Sequence, residues 1–401
     1  MGKGVVMGDS FSVVSGQSWF SRIGESIKSV LFGLVLFLVA FPVLYWNEGR
    51  SVRTARSLSE GLGAVVSVPA DRVDATKDGK LVHLSGAVKT TAPIADDALP
   101  VSATAVKLLR NVEMYQWVEH ESRTTRKKNG GGNETVTTYD YKKEWAKGHV
   151  DSSEFKKPEG HENPGAPPYE SKTFTAEPVN VGAFTMSPAQ VSQLNDSVAL
   201  PVDAASAAQL PAEIKDKTQV KDGRFYMGKD SASPEVGDVR ISYEVVKPDT
   251  VSLVAVQTGS TFAPYQAKAG DSILLVEPGT HTAAEMFKTA QDRNAVLTWI
   301  LRGVGFFMMF LGLFLTFRPI AVLADVVPLF GTALSAGIGL FAFLGAAILS
   351  FVTVAVAWIA VRPVLGISLL IVALGAVVWL LKVGRSRKSA RAAATPVPAV
   401  T

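Results

Sequence analysis

Residues 30–46 read VLFGLVLFLVAFPVLYW, an apolar stretch without a single charged side chain. Crossing the hydrocarbon core of a bilayer takes about 20 apolar helical residues, and a helix satisfies all of its own backbone hydrogen bonds there. Three more stretches of this kind lie near the C-terminus, at 295–317, 329–360 and 364–381. The sequence therefore predicts a membrane protein with four transmembrane helices.

These stretches divide the chain into eight predicted segments. They are a cytoplasmic leader with an interfacial amphipathic helix (1–28), a first transmembrane helix (29–46), an extracytoplasmic domain (47–294), a second transmembrane helix (295–317), an interfacial connector (318–330), a third (331–361) and a fourth (363–382) transmembrane helix, and a basic, disordered cytoplasmic tail (383–401). The predicted fold class is an α+β membrane protein whose large extracytoplasmic domain is mainly antiparallel β with a few short helices.

The orientation follows from the charges that flank the apolar stretches. Five basic residues, from Lys382 to Arg391, follow the last stretch, and such residues favour the cytoplasmic side. Arg50, Arg53 and Arg56 follow the first stretch and oppose this orientation, but long domains cross the membrane largely regardless of charge. We therefore expect the inner membrane of a bacterium with a periplasmic domain, or an endomembrane or the inner nuclear membrane in a eukaryote.

The composition excludes several classes of function. A net charge of +4 is too small to indicate nucleic-acid binding, and the absence of cysteine excludes disulfides, thiolate metal sites and cysteine nucleophiles. The five histidines are scattered without metal-ligand spacing, and neither a phosphate loop nor a serine nucleophile elbow occurs. We predict a protein without catalytic, cofactor-binding or metal-binding residues, and therefore not an enzyme.

Two features of the predicted helices are candidate sites. Arg302 is the only ionisable residue well inside a stretch, and it either extends to the interface or is a buried functional charge. Small residues, which let helix backbones approach closely, recur along the third helix and predict packing within the bundle or between copies of the chain. They are Gly331, Ser335, Gly339, Ala342, Ala346 and Ser350.

Other residues are predicted at the membrane interface. Trp19 belongs to the amphipathic helix of the leader, where an aromatic ring suits the headgroup level. Two Arg-Pro pairs, Arg318-Pro319 and Arg362-Pro363, are predicted to close the second and third helices. Proline disfavours helical geometry in the residue before it, and arginine suits a headgroup boundary.

Alternating apolar and polar residues predict two antiparallel hairpins in the central domain. One pairs residues 239–245 with 251–257, and the other pairs 112–121 with 135–145 through facing aromatic residues. The tip of the second hairpin, 126–133, is basic and glycine-rich, so we expect a mobile, solvated loop.

Two capping boxes predict helices in the same domain. Ser187 with Gln190 indicates a short helix, and Thr282 with Glu285 indicates a helix that continues into the second transmembrane helix at Ala295.

Several of these motifs, in this order, resemble the transmembrane protein 43 family, also called LUMA. They are SWFSRIG at 18–24, WNEGR at 46–50, FRP at 317–319, Trp358 and Arg362-Pro363. The resemblance implies four spans, cytosolic termini, one large lumenal or periplasmic domain and no catalytic motif. In animals it further implies the nuclear envelope with emerin and lamin partners, which we do not carry over because the cysteine-free composition favours a bacterial member.

The function that fits these features is a non-enzymatic organiser or scaffold of a membrane or cell envelope. It acts through the extracytoplasmic domain, and its expected partners are the lipid bilayer, further copies of the chain and envelope proteins. The alternative is a channel or transporter that uses the helix bundle, with Arg302 and the connector around Asp325 as its basis. A membrane-anchored hydrolase is a third hypothesis and has the least support, because no nucleophile and base can be paired in the sequence.

Overall fold

The computed structural model describes residues 9–361 and the single positions 364, 367, 368, 371 and 375. The predicted fourth helix and the tail therefore lie outside the described residues, apart from those five positions. The described residues belong to two compact units. The sheet domain is Met1–Ser15, Ser57–Arg126 and Glu134–Ala290, and the helix bundle is Gly16–Arg56, Lys127–Asn133 and Gln291–Thr401.

Three long helices account for the membrane part of the described chain. By length and apolar composition the candidate spans are Trp19–Ala64, Ala283–Ala324 and Leu329–Val361, as expected for an integral membrane protein. The helices are α1 (Trp19–Ala64), α2 (Pro188–Val191), α3 (Ala204–Ala208), α4 (Ala212–Lys215), α5 (Ala283–Ala324) and α6 (Pro328–Val361), with 3-10 turns at Ala75–Lys77 and Ser152–Glu154.

The long helices differ from the prediction at their ends. The amphipathic leader helix is not separate, because α1 is continuous over 46 residues, about 69 Å at 1.5 Å per residue. Helix α5 passes through Pro319 and reaches Ala324, so the Arg318-Pro319 pair does not end it. Packed membrane helices tolerate proline, because neighbouring groups satisfy the backbone acceptor that loses its partner. Three residues, 325–327, remain of the predicted connector.

Nineteen strands occur in the described chain. They are β1 (Ser10–Gln17), β2 (Val66–Ser67), β3 (Leu81–Thr90), β4 (Ile94–Ala95), β5 (Ser102–Ala103), β6 (Lys107–Lys127), β7 (Asn133–Lys147), β8 (Lys172–Thr175), β9 (Val179–Val181), β10 (Phe184–Thr185), β11 (Val198–Leu200), β12 (Thr218–Lys221), β13 (Arg224–Met227), β14 (Val239–Val246), β15 (Thr250–Thr258), β16 (Thr261–Ala263), β17 (Tyr265–Gln266), β18 (Ser272–Ile273) and β19 (Leu275–Pro278).

Two large sheets carry most of these strands. The eight-stranded sheet has the order β1-β7-β6-β14-β13-β12, with β11 on β14 and β8 on β6. The seven-stranded sheet has the order β10-β9-β3-β15-β16, with β19 on β15 and β2 on β3. Pairing is mainly antiparallel, as predicted, and β2 with β3 is a parallel pair. The pairs β17-β18 and β4-β5 form two small sheets.

One hydrophobic core lies between the two large sheets. Buried residues of the first sheet, such as Met114 and Ile241, belong to the same cluster as Leu84 and Leu253 of the second. The other face of the seven-stranded sheet is covered as well, since Val254 packs with residues from the ends of α1 and α5 that belong to the sheet domain. Strand β15 is thus buried on both faces, which explains its nearly continuous apolar sequence.

The prediction that residues 239–245 and 251–257 form a hairpin is wrong. Both segments are strands, but β14 pairs with β6, β11 and β13 while β15 pairs with β3, β16 and β19. The short connection from Val246 to Thr250 carries the chain from one sheet to the other. Strand periodicity cannot distinguish such a corner from a hairpin, because both need only a tight turn.

The other predicted hairpin is confirmed, and it is longer than expected. Strand β6 extends to Lys127 and β7 begins at Asn133. Tyr115 and Trp145 face each other across the pair with ring centroids 5.4 Å apart. Both predicted capping boxes are also present, at Ser187 with Gln190 and at Thr282 with Glu285, and the second opens a helix that continues into the candidate span.

Helices α1 and α5 are in close contact at two glycines. A Cβ atom on Gly312 would lie 2.6 Å from the backbone nitrogen of Phe37 and 2.7 Å from the carbonyl oxygen of Gly33. A Cβ atom on Gly33 would in turn lie 2.8 Å from the carbonyl oxygen of Gly312. Because these neighbours are backbone atoms, no side chain can move aside, and only glycine permits this helix contact.

Candidate functional site: a buried ion pair in the helix bundle

An ion pair joins the first two long helices. Glu48 on α1 lies just after the apolar stretch, and its side chain is 1% exposed. Arg302 on α5 donates from Nε to Oε1 at 2.6 Å and from Nη2 to Oε2 at 2.8 Å. This two-point geometry is the strongest arrangement available to an arginine and a carboxylate. Arg302, predicted either to extend to the interface or to be buried, is thus held by a carboxylate.

Two tryptophans complete the cluster. Trp358 on α6 donates from its indole nitrogen to Oε2 of Glu48 at 2.5 Å. The guanidinium carbon of Arg302 lies 4.7 Å from the ring centroid of Trp299 and 5.6 Å from that of Trp358, both within cation–π range. A single buried carboxylate therefore contacts side chains from both other long helices, and it fixes how the three pack together.

A polar layer, in which Arg50 contacts uncharged side chains, adjoins the ion pair on α1 and α5. Arg50 donates to Asn294 at 2.9 Å, to the hydroxyl of Thr298 at 3.0 Å and to Asn47 at 3.2 Å. The fully buried Asn47 amide donates to the backbone oxygen of Thr298 at 3.1 Å. Hydrogen bonds of this kind hold membrane helices in register.

A cavity of about 510 Å³ lies beside Arg302. Its walls come from all three long helices and include Leu44, Phe306, Ala347, Val354 and the rings of Trp299 and Trp358. Among the described residues, Arg302 is the only charged one that lines it. The cavity is therefore mainly apolar, with Ser350 and one cationic group, Arg302, on its wall.

A second charged cluster surrounds Asp325, between α5 and α6. Arg22 donates to Oδ2 at 2.5 Å and Lys127 to Oδ1 at 2.7 Å, and the carboxylate is 3% exposed. Burial would raise the pKa of Asp325, but the hydrogen bonds from Lys127 and Arg22 outweigh it and hold the pKa below its ordinary value. Trp19, predicted at the interface, donates to the backbone oxygen of Val322 at 2.9 Å. We call the contacts among these five residues the Asp325 clamp.

The hairpin tip is exposed at residues 126–130, as expected of a solvated loop, but unlike a free loop it also packs within the bundle, where Gly131 is buried. Besides Lys127, the backbone of the tip takes part, because Arg22 donates to the carbonyl oxygen of Gly131 and the Gly130 nitrogen donates to that of Val326. A Cβ atom on Gly131 would lie 2.3 Å from the Trp19 ring, so the glycine is needed for close approach. Glycine-rich composition indicated flexibility, whereas here it permits packing.

The Asp325 clamp also bears on the predicted orientation. Lys127 and Gly131 belong to the segment predicted outside the cytoplasm, whereas Arg22 and Asp325 belong to segments predicted on the cytoplasmic side. If α1 and α5 both cross the bilayer, the Asp325 clamp cannot form while the hairpin tip lies on the opposite side of the membrane from Arg22 and Asp325. The side of the membrane that each segment faces therefore stays a prediction.

The predicted row of small residues on α6 lies largely inside the chain. Ala342 and Ala346 are fully buried, and the hydroxyl of Ser350 lies 3.6 Å from the sulfur of Met309 on α5. Gly331 faces Asp325, and a Cβ atom on Gly339 would touch Phe314. Ser335 is half-buried. These positions leave little of the row for a contact with another copy of the chain.

The remaining predicted interfacial residues are separate from both clusters. Arg318 is exposed on α5, and Pro319 is half-buried within the same helix. Arg362 and Pro363 lie outside the described residues, so the predicted end of the third helix is not tested.

In the sheet domain the buried ionisable groups are also paired. Arg110 lies 2.5 Å from Oδ1 of Asp96, and the Tyr243 hydroxyl donates to Oδ2 at 2.7 Å. Burial and this hydrogen bond raise the pKa of Tyr243. Burial lowers the pKa of His83, whose ring lies 3.1 Å from Ser67 and 2.8 Å from the carbonyl oxygen of His281. Within the described residues no three His, Cys, Asp or Glu side chains form a metal-ligand group.

Sequence reasoning missed Glu48, which we had assigned to the start of the domain. A usable signal was present: Glu48 follows one apolar stretch by two residues, and Arg302 lies seven residues into the next. Opposite charges near the same end of two neighbouring spans predict a pair, because either charge alone is costly at that depth. Gly33 and Gly312 were missed because no motif marks them.

Comparison with known proteins identifies the family. The family model of transmembrane protein 43 matches residues 114–363. Transmembrane protein 43 of Mus musculus is 37% identical over 356 residues, 86% of this chain and 87% of the mouse protein. The Homo sapiens protein is 35% identical over 360 residues, 87% of this chain and 88% of that protein.

A more distant relative matches over nearly the whole chain. The homolog from Drosophila melanogaster is 31% identical over 375 residues, 90% of this chain and 96% of the fly protein. No solved structure matches the chain. Taken together with the motifs in the leader, around Glu48 and in the last helices, these matches show that the chain is a member of the transmembrane protein 43 family.

Proposed function

We propose that this protein is a non-enzymatic organiser of the membrane in which it resides. The helix bundle anchors the chain in the lipid bilayer, and the sheet domain binds envelope proteins or further copies of the chain. The observation that carries this proposal is that buried carboxylates are paired with arginines of the same chain. Glu48, Asp325 and Asp96 each accept from an arginine, and each of these carboxylates is nearly or fully buried.

This use of charge favours an architectural role over catalysis. A catalytic acid or base has to face a cleft where it reaches a substrate, and its pKa is matched to that task. The three buried carboxylates instead point at partners within the chain. Breaking such a pair is strongly destabilising, so these groups hold the packing together.

The channel or transporter alternative loses its main support. It rested partly on Arg302 as an ionisable residue inside a span, and Arg302 is paired with Glu48. The rest of its support was the connector around Asp325, and that carboxylate is held by Arg22 and Lys127. We therefore retain the organiser as the proposal and use flux measurements as part of its test.

The first test is photo-crosslinking in cells with the full chain. A photo-reactive residue replaces, one at a time, Val198, Gln219 and Val73, which are exposed at separate places on the sheet domain. The matched control is Ile241, which is fully buried. We expect intermolecular adducts of defined mass from at least one exposed position and none from Ile241.

The second test is reconstitution of the purified chain into liposomes, with ion and small-solute flux as the measurement. The organiser proposal expects flux equal to that of empty liposomes. Flux above that background, or the absence of crosslinks at all three exposed positions, would overturn the proposal.

A further inference from the structure

The cavity beside Arg302 has a polar end and an apolar body. Arg302 and Trp358 lie at one end, and along α6 the cavity wall runs from Trp358 to Ala347. The eleven residue steps between them correspond to about 16 Å at 1.5 Å per residue. Along α5 the wall continues from Arg302 to Phe306, one turn further into the apolar stretch. The cavity therefore extends from the level of the charged cluster into the apolar part of the bundle.

At the polar end, one guanidinium nitrogen of Arg302 is not hydrogen-bonded to Glu48. Glu48 accepts from Nε and Nη2, but Nη1 donates no hydrogen bond to any described residue. The arginine side chain is 19% exposed and lines the cavity. A ligand oxygen in the cavity could therefore accept a hydrogen bond from Nη1, and a hydrogen bond from a charged donor is stronger than one between neutral groups.

We propose that this cavity binds a phospholipid, with a phosphate oxygen accepting from Nη1 of Arg302 and one acyl chain lying along α6. Trp299 and Trp358 flank the guanidinium, and tryptophan is typical of the headgroup level of a bilayer. Guanidinium groups match phosphate oxygens in geometry and charge. A volume of about 510 Å³ is within the usual range for small-molecule sites.

The apolar part of the cavity indicates the chemistry of the rest of the ligand. Leu44, Phe306, Ala347 and Val354 offer no hydrogen-bonding side chain. The hydroxyl of Ser350, on the same wall, lies 3.6 Å from the Met309 sulfur, so this part of the cavity suits hydrocarbon. The ligand thus has an anionic oxygen at one end and an alkyl chain at the other. A phospholipid of the surrounding membrane has both at the right depth.

The test is native mass spectrometry of the full chain, purified in mild detergent, delipidated and titrated with phosphatidylglycerol. Ala347→Leu fills the apolar body without touching the ion pair, and Ala336→Leu, at an exposed position on the same helix, is its matched control. Arg302→Lys keeps the charge beside Glu48 but removes Nη1. Arg318→Gln removes an exposed arginine of the same helix and is the control for that change.

We expect one bound phospholipid per wild-type chain. Its affinity falls about tenfold or more in Ala347→Leu and severalfold in Arg302→Lys, while both control variants bind as the wild type does. Thermal unfolding of each variant verifies folding. The proposal is overturned if the wild type binds no phospholipid, if Ala347→Leu binds as tightly as Ala336→Leu, or if palmitate displaces phosphatidylglycerol at equal concentration.

Discussion

Removing Arg302 tests how strongly the buried ion pair stabilises the helix bundle. In Arg302→Gln the carboxylate of Glu48, 1% exposed, keeps its hydrogen bond from Trp358 and loses both bonds from the guanidinium. Leaving a buried charge without its partner costs about 3–5 kcal/mol. At roughly 2 °C per kcal/mol, Tm should fall by roughly 6–10 °C.

The reverse change should cost less, because the two partners differ in exposure. In Glu48→Gln the unpaired group is Arg302, which is 19% exposed and can extend its guanidinium toward the interface. The expected loss is about 1.5–3 kcal/mol, the usual contribution of a hydrogen bond to a charged group. The double variant should be more stable than Arg302→Gln alone, since no unpaired charge remains buried.

The assay is thermal unfolding of the four proteins in one detergent, followed by tryptophan fluorescence. Arg318→Gln is the control, because Arg318 is exposed on the same helix and should shift Tm by less than about 2 °C. Equal shifts for Arg302→Gln and Arg318→Gln would refute the reasoning. A double variant less stable than Arg302→Gln would refute the charge-burial part of it.

Three further predictions concern packing, orientation and pH. Gly312→Leu should separate α1 from α5 and cost about 1–3 kcal/mol or more, whereas Gly337→Leu, in open space, should change Tm little. Because of the Asp325 clamp, single cysteines at Gln17 and Asn129 should react with an impermeant maleimide from the same side of the membrane; labelling from opposite sides would disprove the clamp. Burial lowers the pKa of His83 in the folded protein, so the unfolded chain binds a proton more readily and Tm should fall as pH drops below about 6.5. The variant His83→Gln should show a smaller fall in Tm, and an unchanged pH dependence in that variant would contradict the prediction.

The elements of this fold were largely predictable from local sequence. The apolar stretches predicted the long helices, and the capping box at Thr282 and Glu285 predicted where α5 begins. Alternation predicted strands β6, β7 and β14. Each of these signals is local, because backbone preference and one-sided burial leave a repeating pattern in consecutive residues.

The partners of these elements were not predictable in the same way. Residues 239–245 and 251–257 were correctly assigned as strands, but their pairing was wrong, because each joins a different sheet. The hairpin tip was expected in solvent, yet Lys127 pairs with Asp325. Both cases concern contacts between residues far apart in sequence, and such contacts leave no periodic pattern.

By itself the sequence determined a membrane-anchored protein with a mainly antiparallel sheet domain, and its motifs identified the family. Hydrophobic length and alternation suffice for this, since they follow from what each residue can place in lipid, in a core or in water. Only the tertiary structure decided that Arg302 meets Glu48 and Trp358, and that Gly33 meets Gly312. Charge pairing and backbone approach depend on which helix faces lie together, and that is a property of the packed bundle.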